Sequence, residues 1–372
     1  VEFPQNDAYM RLRFDFHGVR VSVESDCAPL LERLEGDFGH FLDAREGGRA
    51  DDVRARFVQD DPPWHETGPG ARRLFRTPNN TVYRVGRLRH VDHHGRALTV
   101  FDRGRDEAVA YAASEGDLHE VAYLFLLSRV GHRLDRIGYH RLHALAVAVD
   151  DRALVFLGDS GCGKTTLGLA MMRRPEVRWL SDEIPLLHPD GRIVAFPMPP
   201  RLTRGAPIPW PPEPVPLREV SRSKQPPKVA VDRGVLEGRV CASARPGAVF
   251  VCRRSRDPDR PAIRRVGPGA AIHGLFRNAL HGRDFPQTKA YFLGFTPRFA
   301  WQMASVLLDR ARALVRLARS TPVYGFEMAR DIGSNLEAVR ETLERDPDPG
   351  VRFPSADGGA PLAAASSREE AP

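Results

Sequence analysis

An apolar run, Ala153-Leu154-Val155-Phe156-Leu157, leads without a break into Gly158-Asp159-Ser160-Gly161-Cys162-Gly163-Lys164-Thr165, and residues 165–174 then read as a short helix. A buried strand, a glycine-rich turn and a helix in that order belong to a sheet whose strands are linked by helices crossing its faces, so the fold class is α/β. The octet fits G-x-x-x-x-G-K-[ST], a pattern expected about 0.002 times by chance at this chain's residue frequencies. Its glycines let the backbone curl until successive N–H groups face an anion, with the helix N-terminus behind them. Lys164 then reaches the β- and γ-phosphates of a nucleotide, the Thr165 hydroxyl is placed to ligate Mg²⁺, and Thr166 follows on the helix as a further binding residue.

A second continuous apolar run, Ala144-Leu145-Ala146-Val147-Ala148-Val149, lies just upstream across Asp150-Asp151-Arg152, and the two read as buried central strands. Val177-Arg178-Trp179-Leu180 reads as a further strand that ends in Ser181-Asp182-Glu183. A carboxylate at the C-terminal edge of a strand near a phosphate loop holds a metal and its waters, and one of such a pair can also take a proton from an attacking hydroxyl. A solvated acidic turn is the plainer reading of the same residues. Strand-like segments recur at 184–187 and 193–196 around Pro189-Asp190-Gly191. Nine of the twenty residues in 197–216 are proline, which predicts an extended loop running over the surface.

Composition adds one pointer. Of 55 basic residues only four are lysine, so arginine is the default cation, and a lysine marks a place where a compact point charge is wanted. Two of the four, Lys224 and Lys228, fall in the basic stretch 218–233. That stretch reads either as a cationic flap over nucleotide or anionic substrate or as a solvated loop, with Arg201 and Arg204 lining the same mouth. Arg253, Arg254 and Arg256 read as a solvated strand end. The net charge of +7 is spread thinly among 48 acids, with no motif to gather it on one face, which argues against nucleic acid as a partner. No apolar run approaches the ~18 residues of a membrane helix, so no membrane association is expected. Four scattered cysteines without a C-x-x-C, and no visible secretory signal, suit the cytoplasm. His90, His93 and His94 cluster on a predicted hairpin turn without the carboxylates or cysteines of a metal site.

The N-terminal third reads as strands and turns with one helix. Residues 10–16 and 19–23 alternate as a hairpin, and 27–42 carries apolar residues at helical spacing. The stretch 44–72 reads as loop, 81–85 and 97–101 as a second hairpin, and a helix opens at a capping-type Ser114-Glu115-Gly116-Asp117. A helix over 299–318 carries Met303, Leu307, Leu314 and Leu317 on one stripe. The expected organisation is a smaller α+β domain over 1–110 for substrate or partner binding, a connecting helix over 111–140, a phosphate-loop domain over 141–345 and a disordered tail over 346–372.

The loop Gly158-Asp159-Ser160-Gly161-x-Gly163-Lys164 resembles that of bacterial HPr kinase/phosphorylase, in which a histidine lies fifteen residues upstream, the spacing of His143 here. The strand ending in Asp182-Glu183 resembles that family's paired acids. Phe196-Pro197-Met198-Pro199-Pro200-Arg201-Leu202 is similar to the Phe-Pro-x-Pro segment of HPr-kinase-related proteins, and Pro322-Val323-Tyr324-Gly325-Phe326 with Arg330-Asp331 to their C-terminal strand. The resemblance spans 140–335. More weakly, the N-terminal hairpins are similar to the leading domain of related kinases from peptide-modification clusters, lasso-peptide kinases among them. It implies a core of the HPr kinase/phosphoenolpyruvate carboxykinase type that uses ATP and Mg²⁺ and allows a homo-oligomer. It implies Asp182 as general base and Glu183 as metal ligand, or the two roles exchanged, and His143 beside the γ-phosphate or the base; a histidine satisfied inside the sheet is the alternative for His143. Glu183 stands where that family usually carries Asp, and no counterpart of its glycine-rich phosphorolysis loop follows. The expected activity is therefore transfer of a phosphoryl group to a hydroxyl on a peptide, protein or small metabolite. Nucleotide-gated binding without chemistry, and hydrolysis with water as acceptor, are the competing expectations.

Overall fold

The computed structural model describes residues 9–45, 49–64, 68, 70–206, 208–211, 216–220, 227–280, 289–292, 296–351 and 353. Two units make up the chain. The first takes the described residues of Val1–His140 and of Gly282–Asp309, and the second those of Arg141–Val220, Pro226–His281 and Arg310–Pro372.

In the first unit the alternating segments β1 (Met10–Phe16) and β2 (Val19–Ser25) form the expected hairpin, turning at His17 and Gly18, both at positive φ. After α1 (Ala28–Phe38) come β3 (Val53–Val58), β4 (Arg72–Arg76), β5 (Thr81–Val85), β6 (Leu88–Asp92), β7 (Leu98–Asp102), β8 (Glu107–Tyr111) and α2 (Glu115–Arg136). The eight strands form one sheet in the order β1-β2-β3-β8-β7-β6-β5-β4. Two differences from the expected pattern stand out. The stretch taken as loop contains β3, whose Val53, Ala55 and Phe57 alternate into the core. The second hairpin is two, because β6 intervenes and pairs with both β5 and β7. At α2 the Ser114 hydroxyl caps the helix by accepting from the Asp117 amide at 3.3 Å. With Leu118, Val121, Ala122 and Phe125 buried and neighbours in α1, β2, β3 and β8, α2 is part of this unit's core.

The two-residue β9 (His140–Arg141) marks the change-over between units. Then follow β10 (Ala144–Val149), β11 (Arg152–Gly158), α3 (Lys164–Met171), β12 (Val177–Asp182), β13 (Leu186–Leu187), β14 (Ile193–Val194), β15 (Arg201–Thr203), β16 (Leu217–Val220), β17 (Lys228–Val231), β18 (Ser243–Arg254), β19 (Ala262–Arg265), α4 (Pro268–Leu280), α5 (Lys289–Phe292), α6 (Pro297–Ser320), β20 (Val323–Met328) and α7 (Ile332–Arg345). The main sheet runs β12-β10-β11-β18, and β18 pairs along its length with β14 at its start and β20 further on. β10 is antiparallel to both β11 and β12, whereas β18 is parallel to β11 and to β20. Hence β11, β12, β18 and β20 point the same way. Their ends at Gly158, Asp182, Arg254 and Met328 share one edge of the sheet with the start of β10.

Side-chain alternation sorts the continuous apolar strands onto two covered faces. Leu145, Val147, Phe156, Trp179 and Phe250 pack with Leu167 of α3 and Val339 and Leu343 of α7. Ala146, Val155, Leu157, Leu180 and Val249 pack with Leu275 of α4 and Leu314 and Leu317 of α6. Phe250 stacks between Phe156 and Tyr324 at 4.8 and 5.2 Å, tying three strands together. Leu307 departs from the predicted stripe and is 46% exposed. The proline-rich segment does not run over the surface at its start: Phe196, Met198, Arg201 and Leu202 are buried. Residues expected to open a disordered tail pack instead, with Val351 and Phe353 in the core and Asp346 accepting a 2.7 Å bond from the Tyr324 hydroxyl. The rest of that expected tail lies outside the described residues.

The four-residue α5 belongs to the first unit. Its Tyr291 is buried edge-on to Phe125, its hydroxyl 2.8 Å from His93 Nε2 and 3.2 Å from Thr99 Oγ1. Arg89 donates to the Ala290 carbonyl at 3.0 Å and Arg129, ion-paired with Asp106, to that of Tyr291 at 3.1 Å. Among the described residues no helix is long and apolar enough to cross a membrane.

Candidate functional site

At the shared edge, the loop after β11 starts from a backbone squeeze. Gly158 has φ +153, and a Cβ there would lie 2.4 Å from the Cys252 carbonyl oxygen of the adjacent strand, so only glycine fits. Gly161 and Gly163 are left-handed, at φ +80 and +102, and Gly163 caps α3. Left-handed residues interleaved with ordinary ones align successive N–H groups on one side of a loop. Asp159, Ser160 and Gly161 are exposed, Thr165 and Thr166 half-buried, and Cys162 and Lys164 buried. The Lys164 ammonium donates to the carbonyls of Gly158 and Asp159 at 2.7 and 3.0 Å and lies 3.7 Å from Cys162 Sγ. The charge therefore sits inside the turn that it closes.

Across β10, the acids at the end of β12 meet the first turn of α3. The Thr165 hydroxyl donates to Asp182 Oδ2 at 2.9 Å. Asp182 is 5% exposed, and its carboxyl is pushed up to about 6, by burial first and the neighbouring Glu183 charge second. The Thr165 hydroxyl, Lys164 and Lys228 pull the other way. Glu183 is held at φ +81, an uncommon conformation for a residue with a side chain. His143 is half-buried two positions before Leu145, whose strand partner is Asp182, so the register sets it at the same edge.

The basic stretch reaches this place through one lysine. A separate three-stranded sheet, ordered β15-β17-β16, carries Lys228 at the start of β17 with its ammonium 4.0 Å from Glu183 Oε1. Arg201 is buried at the start of β15, opposite Ala230. Arg204 does not join it: its exposed guanidinium pairs with Glu219 at 2.8 Å. Lys224 lies outside the described residues.

Arg254, read from sequence as part of a solvated strand end, is exposed at the end of β18 and is also bound to the loop. Its Nη2 donates to the Gly161 carbonyl at 2.8 Å and its Nε at 3.3 Å. Nothing local marks it; only the parallel pairing of Gly158 with Cys252 brings the two strand ends together. Beside the loop a cavity of about 580 Å³ opens between Gly163, Thr166, Arg254, Arg330, Met328 and Ile332. That is within the usual size of small-molecule sites, about 300–1,000 Å³.

The donor set at the acids fits magnesium. Thr165 and Asp182, hydrogen-bonded at 2.9 Å, and Glu183, next in sequence, are all hard oxygen donors. Magnesium is held in that way, by one or two carboxylates and phosphate oxygens. A scan of protein-family models matches none of them to this chain, and a search among curated proteins returns no match.

Proposed function

We propose that the chain is an ATP-dependent kinase related to the HPr kinase group, transferring the γ-phosphoryl group to a hydroxyl of a peptide, protein or small metabolite. The observation that carries the reading is the meeting of Lys164, Thr165 and Asp182 at one sheet edge, with the hydroxyl 2.9 Å from the carboxylate. The two sides of the loop support a direction for the nucleotide. The cavity by Thr166 and Arg254 accepts the nucleoside, and the phosphate chain runs over the loop towards Asp182 and Glu183.

Lys164 and the loop amides bind and neutralise the phosphate oxygens as charge shifts during transfer. Thr165, Asp182 and Glu183 are the residues that would hold Mg²⁺, which when bound supplies further charge neutralisation on the β- and γ-oxygens. Asp182, or Glu183 with the two roles exchanged, takes the acceptor's proton at a carboxylate oxygen. Lys228, at 4.0 Å from Glu183, brings β17 to the acid side and lies where an anionic acceptor would approach.

The test is transfer from γ-labelled ATP with Mg²⁺ into pools of host peptides and metabolites, comparing the protein with Lys164→Ala. Label in one acceptor, lost in the variant, is the expected result. Steady phosphate release without acceptor would make the chain a hydrolase. Tight ATP binding with neither label nor phosphate release would make it a nucleotide-gated binding protein.

A further inference from the structure

The eight-stranded sheet of the first unit ends in β4, which pairs with β5 on one side and, among the described residues, with nothing on the other. An edge strand turns the N–H and C=O groups of alternate residues outward, and among the described residues no backbone hydrogen bond reaches Arg72–Arg76 from that side. The edge also carries an unbalanced charge. Residues 70–91 include six arginines and no acid. Arg87 pairs with Asp102 at 3.3 Å, and Arg89 is buried where it donates to the Ala290 carbonyl. The other four, Arg72, Arg73 and Arg76 on β4 and Arg84 on β5, are exposed. Among the described residues none of the four forms an ion pair or a side-chain hydrogen bond.

Register places these guanidinium groups on both faces of the strand. Arg72 lies opposite Arg84, so the two share one face. Arg73 lies opposite Tyr83 and Arg76 opposite Thr81, two positions apart on β5, so this pair shares the other face. They are three apart on β4, and the bulge at Leu74 is what aligns them. A second copy of this edge would set arginine against arginine, so like charge keeps the strand from pairing with itself. Nucleic acid would meet the charge but offers no repeating ladder of N–H and C=O groups to the backbone. An extended acidic peptide meets both needs.

We infer that the free edge of β4 is a docking site for an extended acidic peptide segment, which adds as a further strand and sets carboxylates beside Arg72, Arg73, Arg76 and Arg84. Main-chain hydrogen bonds supply the affinity common to any added strand, and the arginines select its charge. β4 is five residues long, which limits the docked stretch to a similar length. The inference does not depend on the kinase reading.

It is tested by fluorescence anisotropy of the full chain with a labelled octapeptide of glutamate and valine at constant ionic strength. Beside it run the same peptide with glutamine for glutamate, one N-methylated at alternate residues, and oligothymidylate. Saturable binding of the acidic peptide with Kd at or below about 1 mM is expected, about tenfold or more weaker for the glutamine and N-methylated versions. Arg73→Glu combined with Arg76→Glu should weaken it by about tenfold or more, whereas Arg105→Ala, an exposed arginine in the turn between β7 and β8, should not. On the unsubstituted chain, hydrogen exchange over 72–76 should slow when the acidic peptide is bound, a readout that needs no variant. No saturable binding up to about 5 mM overturns the inference. So does binding that the N-methylated peptide matches, or that leaves exchange at β4 unchanged. Tighter binding of oligothymidylate, lost with the same double substitution, would assign the edge to nucleic acid and overturn it too.

Discussion

Asp182 carries a cost that can be measured without any substrate. Burial and the Glu183 charge raise its carboxyl from 3.8 to about 6, so between those values the folded chain binds more protons than the unfolded one. Stability therefore falls as pH rises through that window, and above pH 6 the whole penalty is present, on the order of 1–3 kcal/mol. Asp182→Asn keeps an oxygen to accept from Thr165 and removes the charge. In metal-free buffer the variant should melt several degrees higher than the parent at pH 7.5, the gap should close towards pH 4, and phosphoryl transfer should be lost. Equal melting temperatures at both pH values would contradict the assignment. Glu183 shows a related compromise, a side chain held at φ +81 where glycine would be easier. Strain of about 1 kcal/mol or more at such a residue persists only where the surrounding structure holds it in place.

Between β11 and α3 the loop is braced from a neighbouring element, because Arg254 at the end of β18 ties down the Gly161 carbonyl. Removing that tie in Arg254→Ala should leave melting almost unchanged, since the arginine is exposed. ATP affinity should drop by about tenfold, and the loop amides should exchange hydrogen faster. Titration and exchange on the same sample check both, and intact affinity would show that the loop holds its shape alone. At this scale the sequence is informative where a signal is local. The apolar runs of β10 and β11, the loop and the Ser114 cap all follow from residues within a few positions of one another. β3 and β6 escaped notice because each is short and rich in charged residues, with alternation over only a few positions. The proline-rich segment misled for a different reason: proline predicts an extended backbone, but whether that backbone is covered depends on what packs on it, and Phe196 and Leu202 find partners.

For the molecule as a whole, the least legible feature is that the first unit is discontinuous. His93 and Tyr291 are 198 positions apart, and nothing near either announces the other. Periodicity places a residue on a face; it cannot say which distant segment that face receives. The second unit was easier to foresee because strand, loop, helix and acids follow one another in the chain. A piece ending at residue 140 lacks Tyr291, and Arg89 and Arg129 lose the carbonyls that they bond in the buried interior. Such a piece should be loosely packed by fluorescence and exchange, and a peptide covering 287–309, added in trans, should tighten it. A well-ordered 1–140 piece indifferent to the peptide would contradict this.

Chain order on the ribosome gives the same feature a meaning in time. The strands and α2 of the first unit emerge early, yet the tyrosine that fills their interior is made only after almost all of the intervening sheet. The first unit to be started is thus not sealed until most of the second has been made. Until then His93, Thr99 and two arginines stand around a gap that water or a chaperone must occupy. Slowing translation within the second unit should prolong that open stage, and raise the fraction of nascent chains that proteases cut in the N-terminal third.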